Sequence, residues 1–228
     1  MPHPTTSTCS KGSSMAFASL PDQVPPPGSP SLAATAMWPI AYSGHSDHEG
    51  VMAAESLFPF RATDHGGTIT HVVFDYGSTL TSSSDPIDVS LGMRPVSPAA
   101  EEAIWKTHET GVVLALLSNT KPGQDRRPAL EAAGVDALFG DRVFLSHELG
   151  LAKPSPAVYE HVLAELDVRP VQLLMCGNNL DHDVAPAVAQ GIRAALVGWP
   201  PRRLPLGSTY VLSIAELPAL LTGAQPHG

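Results

Sequence analysis

Four side chains at widely separated positions, Asp75, Ser118, Lys153 and Asp183, are of types that do chemistry together. A carboxylate can attack phosphorus, a hydroxyl and an ammonium group can hold phosphoryl oxygens, and a pair of carboxylates can bind Mg²⁺. The set therefore suits phosphoryl transfer: Asp75 as nucleophile, Ser118 and Lys153 on the oxygens, Asp75 with Asp183 on the metal. Asp75 and Ser118 lie at the ends of apolar runs, Lys153 follows the third run before a helix, and Asp183 follows the fourth beyond Gly177 and Asn178. Asp75 follows His71-Val72-Val73-Phe74 and precedes the turn formers Gly77 and Ser78.

For these groups to meet, the elements that carry them must share one sheet edge. Further strand-like runs cover Val112 to Leu117, Arg142 to Leu145, Val171 to Cys176 and Ala194 to Val197. Helical candidates alternate with them over Ser97 to Glu109, Arg127 to Ala133, Ser155 to Leu166 and Asp183 to Gln190. Ser97-Pro98 and Ser155-Pro156 read as an N-cap followed by Pro at the first helical position, and Gly134 and Gly191 as left-handed stops. Strand–helix alternation predicts right-handed crossovers and a doubly wound, mainly parallel α/β sheet. Ligands of such sheets bind beyond the carboxyl ends of the strands, which is where Asp75, Ser118, Asn119, Gly177, Asn178 and, past the third strand, Lys153 fall. Asp183 also suits a helix cap, a role compatible with metal binding.

Four stretches, in order, resemble the motifs of the haloacid dehalogenase-like hydrolase superfamily. Phe74-Asp75-Tyr76-Gly77-Ser78-Thr79-Leu80 resembles the first and Leu116-Leu117-Ser118-Asn119 the second. Gly150-Leu151-Ala152-Lys153-Pro154-Ser155-Pro156 is similar to the lysine motif, and Cys176-Gly177-Asn178-Asn179-Leu180-Asp181-His182-Asp183-Val184 to the acidic one. The resemblance covers roughly residues 70 to 200. It implies a Rossmann-like fold and an aspartyl-phosphate intermediate on Asp75. It also implies Thr79, Ser118, Asn119 and Lys153 at the substrate, and Asp75, Gly77, Asn178 and Asp183 around Mg²⁺.

The sequence departs from the family pattern at two of these positions. Where the family carries a second aspartate that protonates the leaving group, this chain has Gly77, which keeps only a backbone carbonyl for the metal. General acid catalysis contributes ~10²–10⁴-fold, so a phosphomonoesterase with Gly77 is expected to be slow unless another group substitutes, with Asp181 and His182 as candidates. Asn178 replaces a frequent acidic residue and brings an oxygen without charge, which predicts weaker Mg²⁺ binding. These losses keep two alternatives open: a catalytically impaired domain that binds a phosphorylated ligand, and a metal-independent dehalogenase-like hydrolase. The short segments Thr81 to Pro95 and Ser146 to Lys153 leave no room for a sizeable cap domain. The expected substrate is thus a phosphorylated small molecule or a larger phosphorylated one, since an uncovered crevice admits both.

Composition narrows the rest. The 228-residue chain is 43% hydrophobic with a net charge of −9, and has no basic cluster of the kind that neutralises nucleic-acid phosphates. No run reaches the ~18 apolar residues of a membrane span, so neither nucleic acid nor membrane is an expected partner. Cys9 and Cys176 are the chain's two cysteines and fit no disulfide framework, which makes the cytoplasm the expected compartment. Residues 1–66, rich in Pro, Ser, Gly and Ala, read as a disordered segment. The catalytic domain is expected over 67–222 and a short tail over 223–228.

Overall fold

The computed structural model describes residues 68–223, all within one compact unit of the chain. The expectation for residues 1–66, including Cys9, lies outside the described residues.

Six parallel strands form one sheet: β1 (His71–Phe74), β2 (Val113–Ser118), β3 (Val143–Leu145), β4 (Leu173–Gly177), β5 (Arg193–Val197) and β6 (Ser208–Val211). Their spatial order is β3-β2-β1-β4-β5-β6. The chain steps outward from β1 to β3, then returns to the other side of β1 with β4. That reversal opens a crevice at the carboxyl ends of β1 and β4, where doubly wound sheets bind ligands. In register, Phe74 pairs with both Leu116 and Cys176, so Asp75, Ser118 and Gly177 emerge at the same edge.

Helices cover both faces: α1 (Pro98–Glu109), α2 (Arg127–Ala132), α3 (Asp136–Phe139), α4 (Ser146–Leu149), α5 (Pro156–Glu165), α6 (Ala185–Ala189) and α7 (Leu217–Thr222). The strands' two-residue period divides the core between these faces. Val72, Phe74, Leu114 and Leu116 pack with Ile104, Leu130, Phe139 and Leu217. Val73, Ala115, Leu117 and Met175 pack with Val158, Tyr159, Val162 and Ala187 on the other face. Both clusters are essentially dry, which fixes the strand ends against each other.

The predicted alternation is present, with instructive differences. Ser97 caps α1 through a bond from the Ala100 N–H to its hydroxyl at 3.3 Å. Ser155 does not repeat it: its side chain makes no capping bond, and the Val158 N–H goes to the Ser155 carbonyl instead. The helix expected from Asp183 begins with a π-type turn, Leu180–Val184, before α6. Its cap is Asn179, whose side chain accepts from the Asp181 and His182 N–H groups at 3.0 Å each. Asp183 is thereby left to face the crevice. Between β1 and α1 the chain forms turns and one antiparallel bridge, Asp88 with Met93, and no cap domain. No helix among the described residues is long and apolar enough to cross a membrane.

Candidate active site

Asp75 leaves β1 with its N–H bonded to the Cys176 carbonyl at 2.8 Å, so the backbone that carries it is locked to β4. Its Oδ1 accepts from Lys153 Nζ at 2.7 Å, and its Oδ2 accepts from the Thr79 hydroxyl at 3.3 Å. The same ammonium donates to Asp183 Oδ1 at 2.6 Å. Residues 75, 153 and 183, which lie 78 and 30 positions apart in pairs, therefore meet at one point, and all three are buried.

Each partner is held from behind. The Asn119 side chain bonds Lys153 at both ends of its amide: it donates to the Lys153 carbonyl at 2.8 Å and accepts from the Lys153 N–H at 2.9 Å. This clamp ties the end of β2 to the lysine loop and sets where the ammonium points. Asp183 Oδ2 accepts from the Asn179 N–H at 2.9 Å. Gly177 lets Asp183 approach at all, because a Cβ there would lie 2.4 Å from the Asp183 carboxylate. Sequence reading assigned Gly177 no role, although a glycine ending an apolar strand signals such a close approach.

A cavity beside the ion pairs is lined by Asp75, Asn119, Lys153, Asn178, Asn179, His182 and Asp183. Asp181 is not part of the lining, which separates the two acids considered as substitutes. Gly77, Thr79 and Ser118 also lie outside it. Gly77 is exposed on the turn after Asp75, with open space around the position of a Cβ. Thr79 is engaged with Asp75, and the buried Ser118 hydroxyl meets Arg126 Nε at 3.3 Å. Arg126 was not anticipated; a basic pair after the second motif does not reveal which guanidinium turns inward.

Electrostatically the centre holds two buried carboxylates against one ammonium. Burial, and then the charge of Asp183, push the Asp75 carboxyl above the usual carboxylate range against the pull of Lys153. The uncompensated negative charge and the all-oxygen donors, Asp75, Asp183 and the Asn178 amide, fit a hard divalent cation. They do not fit a nitrogen- and sulfur-ligated one, and no cluster of three or more His, Cys, Asp or Glu exists among the described residues. Cys176, fully buried behind the site, has its thiol pushed far up by burial and is inert.

Comparison with known proteins shows a similarity to one family over part of the chain. Residues 85–191 match the model for haloacid dehalogenase-like hydrolases, a segment that includes Ser118, Lys153 and Asp183. Over 103 residues the chain is 35% identical to a phosphoserine phosphatase of Thermus thermophilus, covering 45% of this chain and 41% of that protein. Over 115 residues it is 32% identical to the N-acylneuraminate-9-phosphatase of Mus musculus, covering 48% and 46%. In both cases the chain spans less than half of the curated relative's length. The crystal structure of an uncharacterized protein from Listeria monocytogenes serotype 4b is similar over 68% of this chain and 99% of that one. Its TM-score is 0.57 and its sequence identity 26%.

Proposed function

We propose that this chain is a haloacid dehalogenase-like hydrolase that cleaves phosphomonoesters through Asp75 with Mg²⁺ as cofactor. The observation that carries the reading is the convergence of Asp75 and Asp183 on the Lys153 ammonium at the switch point of a parallel sheet. Support comes also from the relatives, which are named as phosphatases of phosphoserine and of N-acylneuraminate 9-phosphate. The catalytic domain is taken as residues 67–222.

In this reading an Asp75 oxygen attacks phosphorus, the ester bond breaks, and the phosphoryl group rests on Asp75 until water displaces it as phosphate. Lys153 neutralises phosphoryl oxygens, and its position depends on the Asn119 clamp. Thr79 orients the carboxylate from its other oxygen. Ser118 holds a phosphoryl oxygen once its hydroxyl turns from Arg126. Asp75, Asp183, Asn178 and the Gly77 carbonyl would hold Mg²⁺, whose charge offsets the excess of negative charge in the site. Of the two candidate proton donors His182 lines the cavity, which favours it over Asp181 for protonating the leaving oxygen in place of the missing second aspartate.

The test is hydrolysis of an aryl phosphate with Mg²⁺, its good leaving group needing little protonation. Wild-type turnover with loss of at least ~10³-fold in Asp75→Asn is expected, the scale of losing a group central to the chemistry. Equal rates in the two proteins would contradict the assignment. Gly77 favours a second reading, a domain that binds phosphorylated ligands without turnover; tight binding with no hydrolysis of any phosphomonoester is its signature.

A further inference from the structure

Arg126 carries a charge that the phosphoryl site does not use. Its Nε donates to Ser118 Oγ at 3.3 Å, its guanidinium carbon lies 4.7 Å from the centroid of the Tyr76 ring, and Nη1 meets Met93 Sδ at 3.5 Å. Tyr76 directly follows the nucleophile, and Ser118 ends β2, so the guanidinium sits at the same sheet edge as Asp75. Arg127, its neighbour in sequence, pairs instead with Glu148 and Asp125. Among the described residues no carboxylate forms an ion pair with Arg126.

A part-buried cation that meets a hydroxyl, a ring face and a thioether rather than a carboxylate keeps its charge available to an incoming anion. The contact with the Tyr76 ring and the bond to Ser118 hold the guanidinium in place before any ligand binds, and a guanidinium suits the two-point recognition of a planar carboxylate. With no cap domain between β1 and α1 to read the rest of a substrate, the task falls to side chains of the core itself. We infer that Arg126 is a subsite for a second anionic group, so that the substrate class is a phosphomonoester bearing a carboxylate. The inference rests on the phosphatase reading above and adds the identity of what is attached to the phosphate.

The experiment uses two non-hydrolysable probes on the full chain at fixed Mg²⁺: phosphonoacetate, with a carboxylate, and methylphosphonate, without one. Calorimetry of the wild type is expected to show phosphonoacetate binding about 10-fold or more tightly, the worth of one charge-assisted contact. Arg126→Gln is expected to abolish that preference, and Arg126→Lys to restore part of it, with thermal unfolding confirming that both variants fold. A role confined to positioning Ser118 would weaken both probes alike. The inference is overturned if the wild type shows no preference, or if the preference survives in a folded Arg126→Gln protein. Failure of the phosphatase reading is distinguishable, because it appears as absent turnover of every phosphomonoester whatever the two phosphonates do.

Discussion

At the scale of single residues, the account turns on Asp75 being buried beside a second carboxylate. Its raised pKa means that ionising it costs more in the folded than in the unfolded protein. In metal-free protein that cost is fully present above the folded pKa and is relieved as pH falls toward the ordinary carboxylate value. Asp75→Asn, which leaves a one-to-one Lys153–Asp183 pair, is therefore expected to raise the melting temperature at pH 8. The gain should shrink on acidification; a variant less stable than the wild type at pH 8 would contradict the charge balance described. His182 makes a second prediction. With His182→Gln, kcat should fall ~10²-fold or more for alkyl phosphates, whose leaving groups need a proton, and much less for aryl phosphates. A uniform loss across leaving groups would remove the proton-donor role. That Asp75, Lys153 and Asp183 come together was legible in the sequence because each follows an apolar run in a characteristic order. Arg126 was not, since its direction depends on packing against Tyr76 and Met93, far from it in sequence.

At the scale of elements, five strands were readable because buried parallel strands are continuous apolar runs. β6 escaped notice: Ser208–Val211 is short, opens with Ser208 and Thr209 and follows a Pro- and Arg-rich stretch. The single-turn helices α3 and α4 were missed because four residues carry no helical period. The π-type turn at Leu180–Val184 was likewise hidden, yet it aims Asp183 into the crevice while Asn179 takes the cap. The junction of β4 with that turn depends on Gly177. Gly177→Ala would drive a methyl group into the Asp183 carboxylate and displace it. A shift of that kind costs ~10²-fold in catalysis, so kcat/KM should fall on that scale, together with the stabilisation that Mg²⁺ gives in a thermal melt. Undiminished activity with an unchanged Mg²⁺ response would show that the close approach has no functional weight.

For the molecule as a whole, fold class was legible before any coordinates, because alternating strand and helix patterns with few crossings permit little besides a doubly wound sheet. The absence of a cap between β1 and α1 followed from the shortness of that segment. What the pattern left open was the occupant of the crevice, since one fold hosts many reactions and only the site distinguishes them. The sheet brings two carboxylates to one lysine at the edge where β1 and β4 end, and the claim that Asp75 is the nucleophile has a direct test. During turnover of an acyl or aryl phosphate, rapid acid quench followed by peptide mass spectrometry should find one phosphoryl group on the peptide containing Asp75. A phosphoryl group on another residue, or turnover with no covalent intermediate at any quench time, would contradict the account.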